Sequence, residues 1–514
     1  MNTIELSIFS SRIESVCDEM GAVLQRAAFS PNIKDRLDFS CAVFDLRGQL
    51  CSQAAHIPVH LGSMAYAMQG IVDRFDWHAG DMVALNDPYL GGTHLPDVTL
   101  VCPVHDGDIL LGFVANRAHH ADIGSDTPGS MPLATHLEQE GVLIAPQKIM
   151  RKNETSVEFE EIMRSLGRSV ESVGDFNAQM SANQRGAERL LSIVTAYGVD
   201  DYNLAISDLN NYGDRLMKQL LHSIPEGRFD FEDLMDDDGL GAENIKIKLA
   251  LIIQSGAVLA DFSGTSPQVK GNINCPLSVV AAAVYYVFRC LMPANTPACF
   301  GVYRRLEIKA PVGSLVNAVK PAAVAAGNVE TSTRLVDVVM GALAKAIPDQ
   351  IPAASHGSMN NVAMGAKTKK VNWNYYETIG GGMGAGAVHA GLSCVQTHMT
   401  NTLNTPIESL EMHYPIRVGR YQIRTGSGGA GLHKGGDGLI REIIFLQPAN
   451  VTLLTERRSH QPWGLSGGQH AARGENQLNG EKLPAKVSVD VKTGDRLTIK
   501  TPGGGGYGFA KTVE

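Results

Sequence analysis

Several features that mark common protein classes are missing from this sequence. Its eight cysteines include no C-x-x-C pair, which excludes zinc ribbons and thioredoxin-like redox sites. It has no basic run and a formal net charge of −9, so we expect no nucleic-acid partner. The most apolar run, residues 277–292, is too short for a membrane span and contains Arg289. The N-terminal segment is amphipathic rather than a signal peptide, so we expect a reduced, cytoplasmic protein that is not bound to a membrane.

Motifs for nucleotide binding and for a serine nucleophile are also missing. No G-x-x-x-x-G-K-[ST] occurs, so the chain has no P-loop of its own. No G-x-S-x-G nucleophile elbow occurs either. The glycines at 380–386 follow a strand-like segment, but the residues after them have no helical pattern, which excludes a dinucleotide-binding fold.

Strand-like and helix-like segments lie in separate blocks, which favours an α+β fold over a doubly wound one. A chain of 514 residues is long enough for about three to four domains. With 44% hydrophobic and 19% charged residues, its composition is that of an ordinary soluble enzyme. The expected regions are a β-rich N-terminal region that carries the candidate metal site (1–150), a helical segment (151–225), an α+β core (226–370) and a glycine-rich β region (371–514).

Local patterns predict individual elements within these regions. An N-terminal helix should end before Pro31, and a core helix should begin with Asn274 as its cap and Pro276 in its first turn. The turn at 235–239, MDDDG, lacks the full spacing of a calcium loop and indicates a strand end. The expected strands are 39–44, 49–53, 82–85, 246–254 and 257–262, and the expected core helices are 277–292 and about 332–346.

Glycine is abundant near the C-terminus. The chain has 54 glycines, and they cluster at 380–386, 426–438, 464–468 and 503–508. The segment TPGGGGYG at 501–508 is compatible with an anion-binding nest of backbone N–H groups and equally with a close-packed loop. The pattern alone leaves both open.

The densest group of candidate site residues lies in NDPYLGGTHLPDVTLVCPVHDGDILLGFVANRAHHADIG, residues 86–124. The Asp106-Gly107 pair between two apolar runs predicts a β-hairpin with a two-residue turn. That turn makes His94 face His119. Facing residues share one side of a sheet with Cβ atoms about 4.5–5.5 Å apart. Two imidazoles at that separation can share one metal ion.

Asp97 extends this pair to a candidate metal site. In a regular strand Asp97 would point to the opposite side from His94. Leu95-Pro96 lies between them, and proline breaks a strand ladder, so we expect a turn that returns Asp97 to His94. Two histidines and an aspartate suit zinc, manganese or iron(II). The alternative is that these histidines are hydrogen-bonded structural residues.

Three nearby residues are further candidates. Asp38, at the start of the first hairpin, is either a turn carboxylate or an additional oxygen ligand or acid–base group. His120 should point away from His119 because adjacent strand residues face opposite sides, so it is a candidate general acid or base rather than a ligand. Asp122 is a second candidate for proton transfer, and the alternative for both is a hydrogen-bonded surface role.

Motifs spread over nearly the whole chain resemble those of one family. They are RLDFSCAVFD, HIPVHLGSM, NDPYLGGTHLPD, HHADIG, DFSGTSPQVKGNIN, PAAVAAGNVETSTR, ETIGGGMGAGAVHAG, THMTNTLNTPIESLE, GGAGLHKGGDGLIREI, ERRSHQPWGLSGG and TPGGGGYG. In number and order they resemble the hydantoinase B/oxoprolinase family of HyuB-type subunits. The sequence departs from the family's pattern at His389-Ala390 and at Gln396-Thr397, where the family commonly has Asp-Gly and His-Thr.

The resemblance implies an ATP-dependent hydrolase that opens hydantoin, N-methylhydantoin, 5-oxoproline or lactam rings. A HyuA-type partner would bind ATP and phosphorylate the substrate, and this chain would complete the reaction within a hetero-oligomer. The resemblance also implies a divalent metal, zinc, manganese or iron, on His94, Asp97 and His119, with Asp38 as a fourth candidate. His120 and Asp122 would transfer protons.

Two other functions fit the same resemblance. One is a subunit of an ATP-dependent ketone carboxylase of the acetone or acetophenone type, in which the same ligands would serve a reaction with carbon dioxide. The other is a non-catalytic scaffold that positions the partner. Dependence on bicarbonate separates the first from a hydrolase, and the activity of a His94 variant separates the second.

Overall fold

A computed structural model of the chain describes residues 1–54, 57–125, 127–367 and 372–510. It combines helices with several sheets whose strand pairs are antiparallel except for β10–β11 (Ala257–Asp261 and Leu306–Lys309), so the α+β prediction is confirmed. The helices are α1 (Thr3–Ala27), α2 (Pro31–Lys34), α3 (Pro58–Val72), α4 (Val157–Ser165), α5 (Val170–Tyr197), α6 (Val199–Ser223), α7 (Leu277–Cys290), α8 (Ser332–Leu343) and α9 (Ile407–His413).

The strands of the described residues form four sheets. The first, in the order β2-β1-β5-β4-β3-β6-β7, comprises β1 (Phe39–Phe44), β2 (Leu50–Gln53), β3 (Met82–Leu85), β4 (Asp97–Asp106), β5 (Ile109–His119), β6 (Gln147–Arg151) and β7 (Glu154–Thr155). The second, β11-β10-β9-β8, comprises β8 (Gly227–Asp237), β9 (Glu243–Gln254), β10 (Ala257–Asp261) and β11 (Leu306–Lys309). The third, β13-β12-β16-β19, comprises β12 (Asn361–Lys367), β13 (Asn372–Glu377), β16 (Ala449–Leu454) and β19 (Lys486–Val491). The fourth, β14-β15-β20-β17-β18, comprises β14 (Ile416–Ile423), β15 (Leu439–Phe445), β17 (Glu475–Leu478), β18 (Glu481–Leu483) and β20 (Arg496–Lys500).

The first sheet has different neighbours on its two faces, and this decides where the side chains of β5 lie. Successive strand residues point to opposite faces. Asn116 donates to the Gln179 carbonyl of α5 at 2.8 Å, whereas Arg117 donates to Ser63 Oγ of α3 at 2.6 Å. His119 therefore lies on the α3 face with Arg117, and His120 lies on the α5 face.

Helices α7 and α8 supply the most apolar part of the core, as their sequences predict. Helix α7 begins after Pro276, which is its N-cap, so the prediction that Asn274 caps this helix is wrong. The Asn274 side-chain amide instead donates to the carbonyls of Val269 and Gly271 at 2.9 and 2.8 Å, because the loop before the helix doubles back there. Helix α8 follows a π-helical turn, Gly327–Thr331. Such turns are often found at functional sites.

The C-terminal glycine clusters pack against one another as buried loops. Gly504 N donates to Gly436 O at 2.9 Å, and Gly429 N donates to Gly504 O at 2.9 Å. A Cβ atom on Gly435 would lie 1.8 Å from Gly504 O, so the backbones touch where a side chain would stand. Residues 501–507 are buried. Of the two possibilities for TPGGGGYG, close packing is therefore the one that the structure has.

All eight cysteines are free thiols, and six are buried. In the part of the chain that the structure describes, no helix is both long and apolar enough to cross a membrane.

Candidate metal centre

The hairpin of β4 and β5 forms, but in a different register from the predicted one. Asp106 pairs with Ile109, so the turn residues are Gly107 and Asp108, one position later than predicted. Gly107 has a φ of 58°, and glycine is preferred at the first position of a tight hairpin turn. The sequence Asp-Gly-Asp fits either choice of turn, and this ambiguity is why the prediction was wrong.

A β-bulge adds to the shift. The register changes between Val104 and His105, and Leu111 has no partner across the ladder. As a result, the residue that faces His119 is Asp97 and not His94. Cross-strand pairing therefore joins an aspartate and a histidine where two histidines were predicted.

His94 reaches the same place through a turn, as the Leu95-Pro96 dipeptide predicts. Asp97 N donates to His94 O at 3.1 Å, and Val98 N donates to Pro96 O at 3.1 Å, so strand β4 starts only at Asp97. His94 Nε2 then lies 3.0 Å from Asp97 Oδ1. His94, Asp97 and His119 offer ligand atoms that all lie within 4.8 Å of one another, and all three residues are buried.

The two oxygens of Asp97 have different surroundings. Oδ1 faces His94 Nε2 at 3.0 Å and His119 Nδ1 at 3.1 Å. Oδ2 is held by His60 Nε2 at 3.1 Å, by the hydroxyl of Thr93 at 2.5 Å and by the Asn328 amide at 3.4 Å. The three contacts to Oδ2 fix the carboxylate and leave Oδ1 directed at the imidazoles of His94 and His119. Outer contacts of this kind orient metal ligands in proteins.

The proton positions on His94 test whether these residues fit a cation. His94 Nδ1 lies 3.3 Å from the carbonyl oxygen of Ala325, which can only accept a hydrogen bond. Nδ1 therefore carries a proton, and in the tautomer with no proton on Nε2 that nitrogen presents a lone pair to Asp97 Oδ1. His94 Nε2 and His119 Nε2 are buried with no hydrogen-bond partner among the described residues. In that tautomer, His94 Nε2 and Asp97 Oδ1 offer lone pairs to one cation, so the donor set fits a divalent metal.

The electrostatics keep the ligands in the forms that a metal needs. Burial opposes the ionisation of Asp97, but the charges of His94 and His60 and the hydrogen bond from His119 hold its pKa well below the ordinary value. Burial lowers the pKa of His119, so its ring is neutral. For Asp97 and His119, an ionised carboxylate and a neutral imidazole, this is the protonation state in which metals bind.

A small internal cavity of about 20 Å³ lies at this cluster. That volume suffices for one water molecule or ion. Asp38 lines the cavity together with the three clustered residues, and its backbone carbonyl accepts a hydrogen bond from His119 N at 3.0 Å. Its carboxylate is not within the cluster of three, so Asp38 stands at the wall as a candidate fourth ligand.

The two predicted proton-transfer residues lie elsewhere. His120 is buried on the α5 face, where its Nε2 is 2.8 Å from Gln179 Oε1 and its ring packs against Phe176. Asp122 accepts a hydrogen bond from Gly124 N at 2.8 Å in the following loop. Neither side chain lines the cavity, and their catalytic role remains a prediction from the sequence.

Sequence reasoning missed the residues that hold Asp97. His60 lies on α3, inside the motif HIPVHLGSM, where a helix was not expected. Asn328 lies on the π-helical turn before α8, far along the chain from the hairpin. The one available signal was His60, the second histidine in the HIPVH segment. Its contact with Asp97 cannot be predicted without knowing how α3 packs on the first sheet.

We expect His60→Ala to weaken metal binding without abolishing it. The variant loses one of the contacts that orient Asp97, and the loss of such an outer partner typically costs about 10- to 100-fold in metal affinity. Competition with a metal-binding dye measures the change. His222→Ala, on the exposed side of α6, is the control and should bind metal like the unaltered protein. Equal affinity in the two variants would show that His60 does not orient the site.

Glu140 supports the loop that positions His94. Its carboxylate accepts hydrogen bonds from Val324 N and Ala325 N, each at 2.8 Å, and the carbonyl of Ala325 in turn contacts His94. Burial raises the pKa of Glu140 to about 8, although these two N–H groups oppose the shift. At a pH between the ordinary pKa of a glutamate and about 8, Glu140 is therefore protonated in the folded protein and ionised in the unfolded chain.

This difference predicts a pH-dependent stability. Between the ordinary pKa of a glutamate and about 8, the folded state binds more protons at Glu140, so the free energy of unfolding falls as the pH rises. The slope from one proton is at most about 1.4 kcal/mol per pH unit. Glu140→Gln keeps an acceptor oxygen and should flatten the curve between pH 5 and about 8 in denaturant titrations. An unchanged slope would mean that Glu140 is ionised in the folded state.

The chain is similar to proteins of one family over nearly its whole length. The family model described as hydantoinase B/oxoprolinase matches residues 2–510. 5-Oxoprolinase 1 of Arabidopsis thaliana is 40% identical, and the match covers 99% of this chain and 42% of that protein. The chain thus spans about two fifths of that relative. The B subunit of a putative D-/L-hydantoinase of Pseudomonas sp. (strain NS671) is 32% identical, with coverage of 99% of this chain and 90% of that one.

Solved structures give a similar result. The ATP-dependent caprolactamase from Pseudomonas jessenii superimposes with a TM-score of 0.92 at 26% identity, over 99% of this chain and 91% of that one. An acetone carboxylase superimposes with a TM-score of 0.87 at 16% identity, over 99% of this chain and 76% of that one. The second likeness concerns the fold alone.

Proposed function

The chain belongs to the hydantoinase B/oxoprolinase family, and from this premise we propose that it is the metal-containing subunit of an ATP-dependent cyclic amidase. Its substrate is a small ring amide such as a hydantoin, 5-oxoproline or a lactam. The observation that carries the proposal is the buried cluster of His94, Asp97 and His119, whose donor set fits a divalent cation.

The ligands proposed for a divalent zinc, manganese or iron ion are the three clustered residues, with Asp38 as the fourth. Such an ion would lower the pKa of a water and orient it for attack on the activated ring carbon. The protein itself orients the metal ligands and excludes bulk water. His60, Thr93 and Asn328 hold the carboxylate of Asp97, Ala325 holds the His94 ring, and the buried walls keep bulk water away.

The ATP-dependent step belongs to a HyuA-type partner. The chain has no P-loop sequence. Phosphorylation of the ring amide on the partner creates a leaving group, which lowers the barrier for hydrolysis here. The relative named as the B subunit of a hydantoinase and the relative named an ATP-dependent caprolactamase support a divided complex and a ring-amide substrate.

Co-expression with the partner tests the proposal. The purified complex should hydrolyse ATP only when a hydantoin, 5-oxoproline or a lactam is supplied, and the ring-opened product should appear in step with ADP. Turnover that needs a ketone and bicarbonate and ignores ring amides would replace the amidase with a carboxylase. Full turnover by the partner together with a His94→Ala chain would make this protein a scaffold.

A further inference from the structure

One large cavity in the described part of the chain has no role in the function proposed above. It has a volume of about 1100 Å³ and lies between α1, the end of α7 and the loop 291–298. Ligand sites for small molecules typically have volumes of about 300–1000 Å³, so it has room for a substrate-sized molecule. The metal cavity of about 20 Å³ is far too small for one.

The two cavities share a wall. The first turns of α3 contribute Pro58 and Gly62 to the large cavity and Val59 and His60 to the small one. Residues 399–402 also divide between them, since Asn401 lines the large cavity and Met399, Thr400 and Thr402 line the small one. The two cavities therefore lie on either side of the first turns of α3 and of residues 399–402.

The charges that line the large cavity favour an anion. Arg289, at the end of α7, donates to the neutral backbone carbonyl of Thr296, and its Nη1 has no partner among the described residues. Arg215 lies over the ring of Tyr212 at 5.7 Å. In the described part of the chain, neither guanidinium has a carboxylate oxygen within 4.0 Å. Glu14 is the one acidic side chain among the lining residues. Arg289, with a buried N–H group that has no partner among the described residues, is suited to an oxyanion, which guanidinium binds through paired N–H donors. Its charge also acts on the Glu14 carboxylate.

The remaining walls suit the organic part of such a ligand. Tyr285, Tyr286 and Tyr303 line the cavity, and the rings of Tyr285 and Tyr303 stack with centroids 4.4 Å apart. The Tyr286 hydroxyl lies 3.4 Å from His398 Nδ1. His398 is held at a φ of 59°, a backbone conformation that non-glycine residues rarely adopt and that is often found at functional sites.

We propose that the 1100 Å³ cavity binds a small organic anion, with its phosphate or carboxylate on Arg289 and its ring among the tyrosines, on the far side of the wall from the metal ligands. The identity of the anion as the phosphorylated ring or its ring-opened product rests on the proposed function. The binding itself does not.

Calorimetric titration of the full-length, metal-loaded protein tests the proposal, with phenyl phosphate and benzoate as probes. We expect saturable binding that is about 10-fold or more weaker in Arg289→Met, because one charge-assisted hydrogen bond is worth about 1.5–3 kcal/mol. Arg289→Lys should lie between the two. Arg228→Met, which alters an exposed arginine of β8 outside the cavity, is the matched control. A stronger effect on phenyl phosphate than on benzoate identifies a phosphate site, and the reverse identifies a carboxylate site.

Cysteine protection locates the bound probe. Cys290 is exposed and lines the cavity, whereas the partly exposed Cys394 lies in another loop. Either probe should slow alkylation of Cys290 and leave that of Cys394 unchanged. No saturable binding, equal affinity in Arg289→Met, or binding that leaves Cys290 unprotected would each overturn the cavity site. If that happens while ring opening persists, the proposed function stands. Loss of ring opening with intact probe binding would overturn the function alone.

Discussion

Replacing His94 with alanine is expected to abolish metal binding and ATP-dependent ring opening together. The change removes one of three clustered donors and leaves the Asp97 carboxylate with a gap beside Oδ1. We expect the metal content to fall from about one ion per chain to near zero and the turnover rate to fall about 1000-fold or more, because a metal-bound water ionises near pH 7 and a free one does not. Elemental analysis and a coupled ADP assay on the purified complex measure both quantities.

The matched control is His105→Ala. His105 lies at the half-buried end of β4 and does not line the metal cavity, so this variant should keep both its metal and its activity. A His94→Ala protein that folds, retains a full equivalent of metal and turns over normally would eliminate the proposed ligand set. If both variants lose metal equally, the loss reflects general damage to the hairpin.

Gly435→Ala is expected to destabilise the protein more than any ordinary surface substitution. The added methyl group would lie 1.8 Å from Gly504 O, and the obstacle is backbone within a buried loop, which cannot rotate away. Overpacking of a core side chain costs about 1–3 kcal/mol, and a clash with backbone should reach or exceed the upper end, about 3 kcal/mol. Thermal or denaturant unfolding monitored by circular dichroism measures the loss.

Gly70→Ala provides the comparison. Gly70 is an exposed residue of α3, and a Cβ atom there would meet nothing within 4 Å. Alanine is favoured over glycine in a helix by about 0.5–1 kcal/mol, so this variant should be slightly more stable than the unaltered protein. If Gly435→Ala is as stable as Gly70→Ala, the interleaved glycine loops are not packed as the structure has them.

The strand and helix patterns located most elements because each of them is locally encoded. Helix α3 was missed. The sequence pattern places its segment in a β-rich region, yet its buried face forms only when α3 packs between the first sheet and α7.

Local sequence patterns do not predict the pairing and the long-range contacts of the metal site. The sequence brought His94, Asp97 and His119 together, but through the wrong pairing, because Asp-Gly-Asp permits two turns and the bulge at Leu111 leaves no mark in the pattern. The turn at Leu95-Pro96 was predicted and is present. The contacts of Asn328 with Asp97 and of Ala325 with His94 join segments more than 200 residues apart, and no periodicity encodes them.

Anomalous X-ray diffraction from crystals of the metal-loaded protein, recorded at the absorption edge of the bound metal, tests the central claim most directly. We expect one strong peak per chain, within coordination distance of His94 Nε2, Asp97 Oδ1 and a ring nitrogen of His119, with Asp38 as the nearest further carboxylate. A crystal with no peak in the cavity beneath α3, or with its ordered metal bound elsewhere on the chain, would contradict the account.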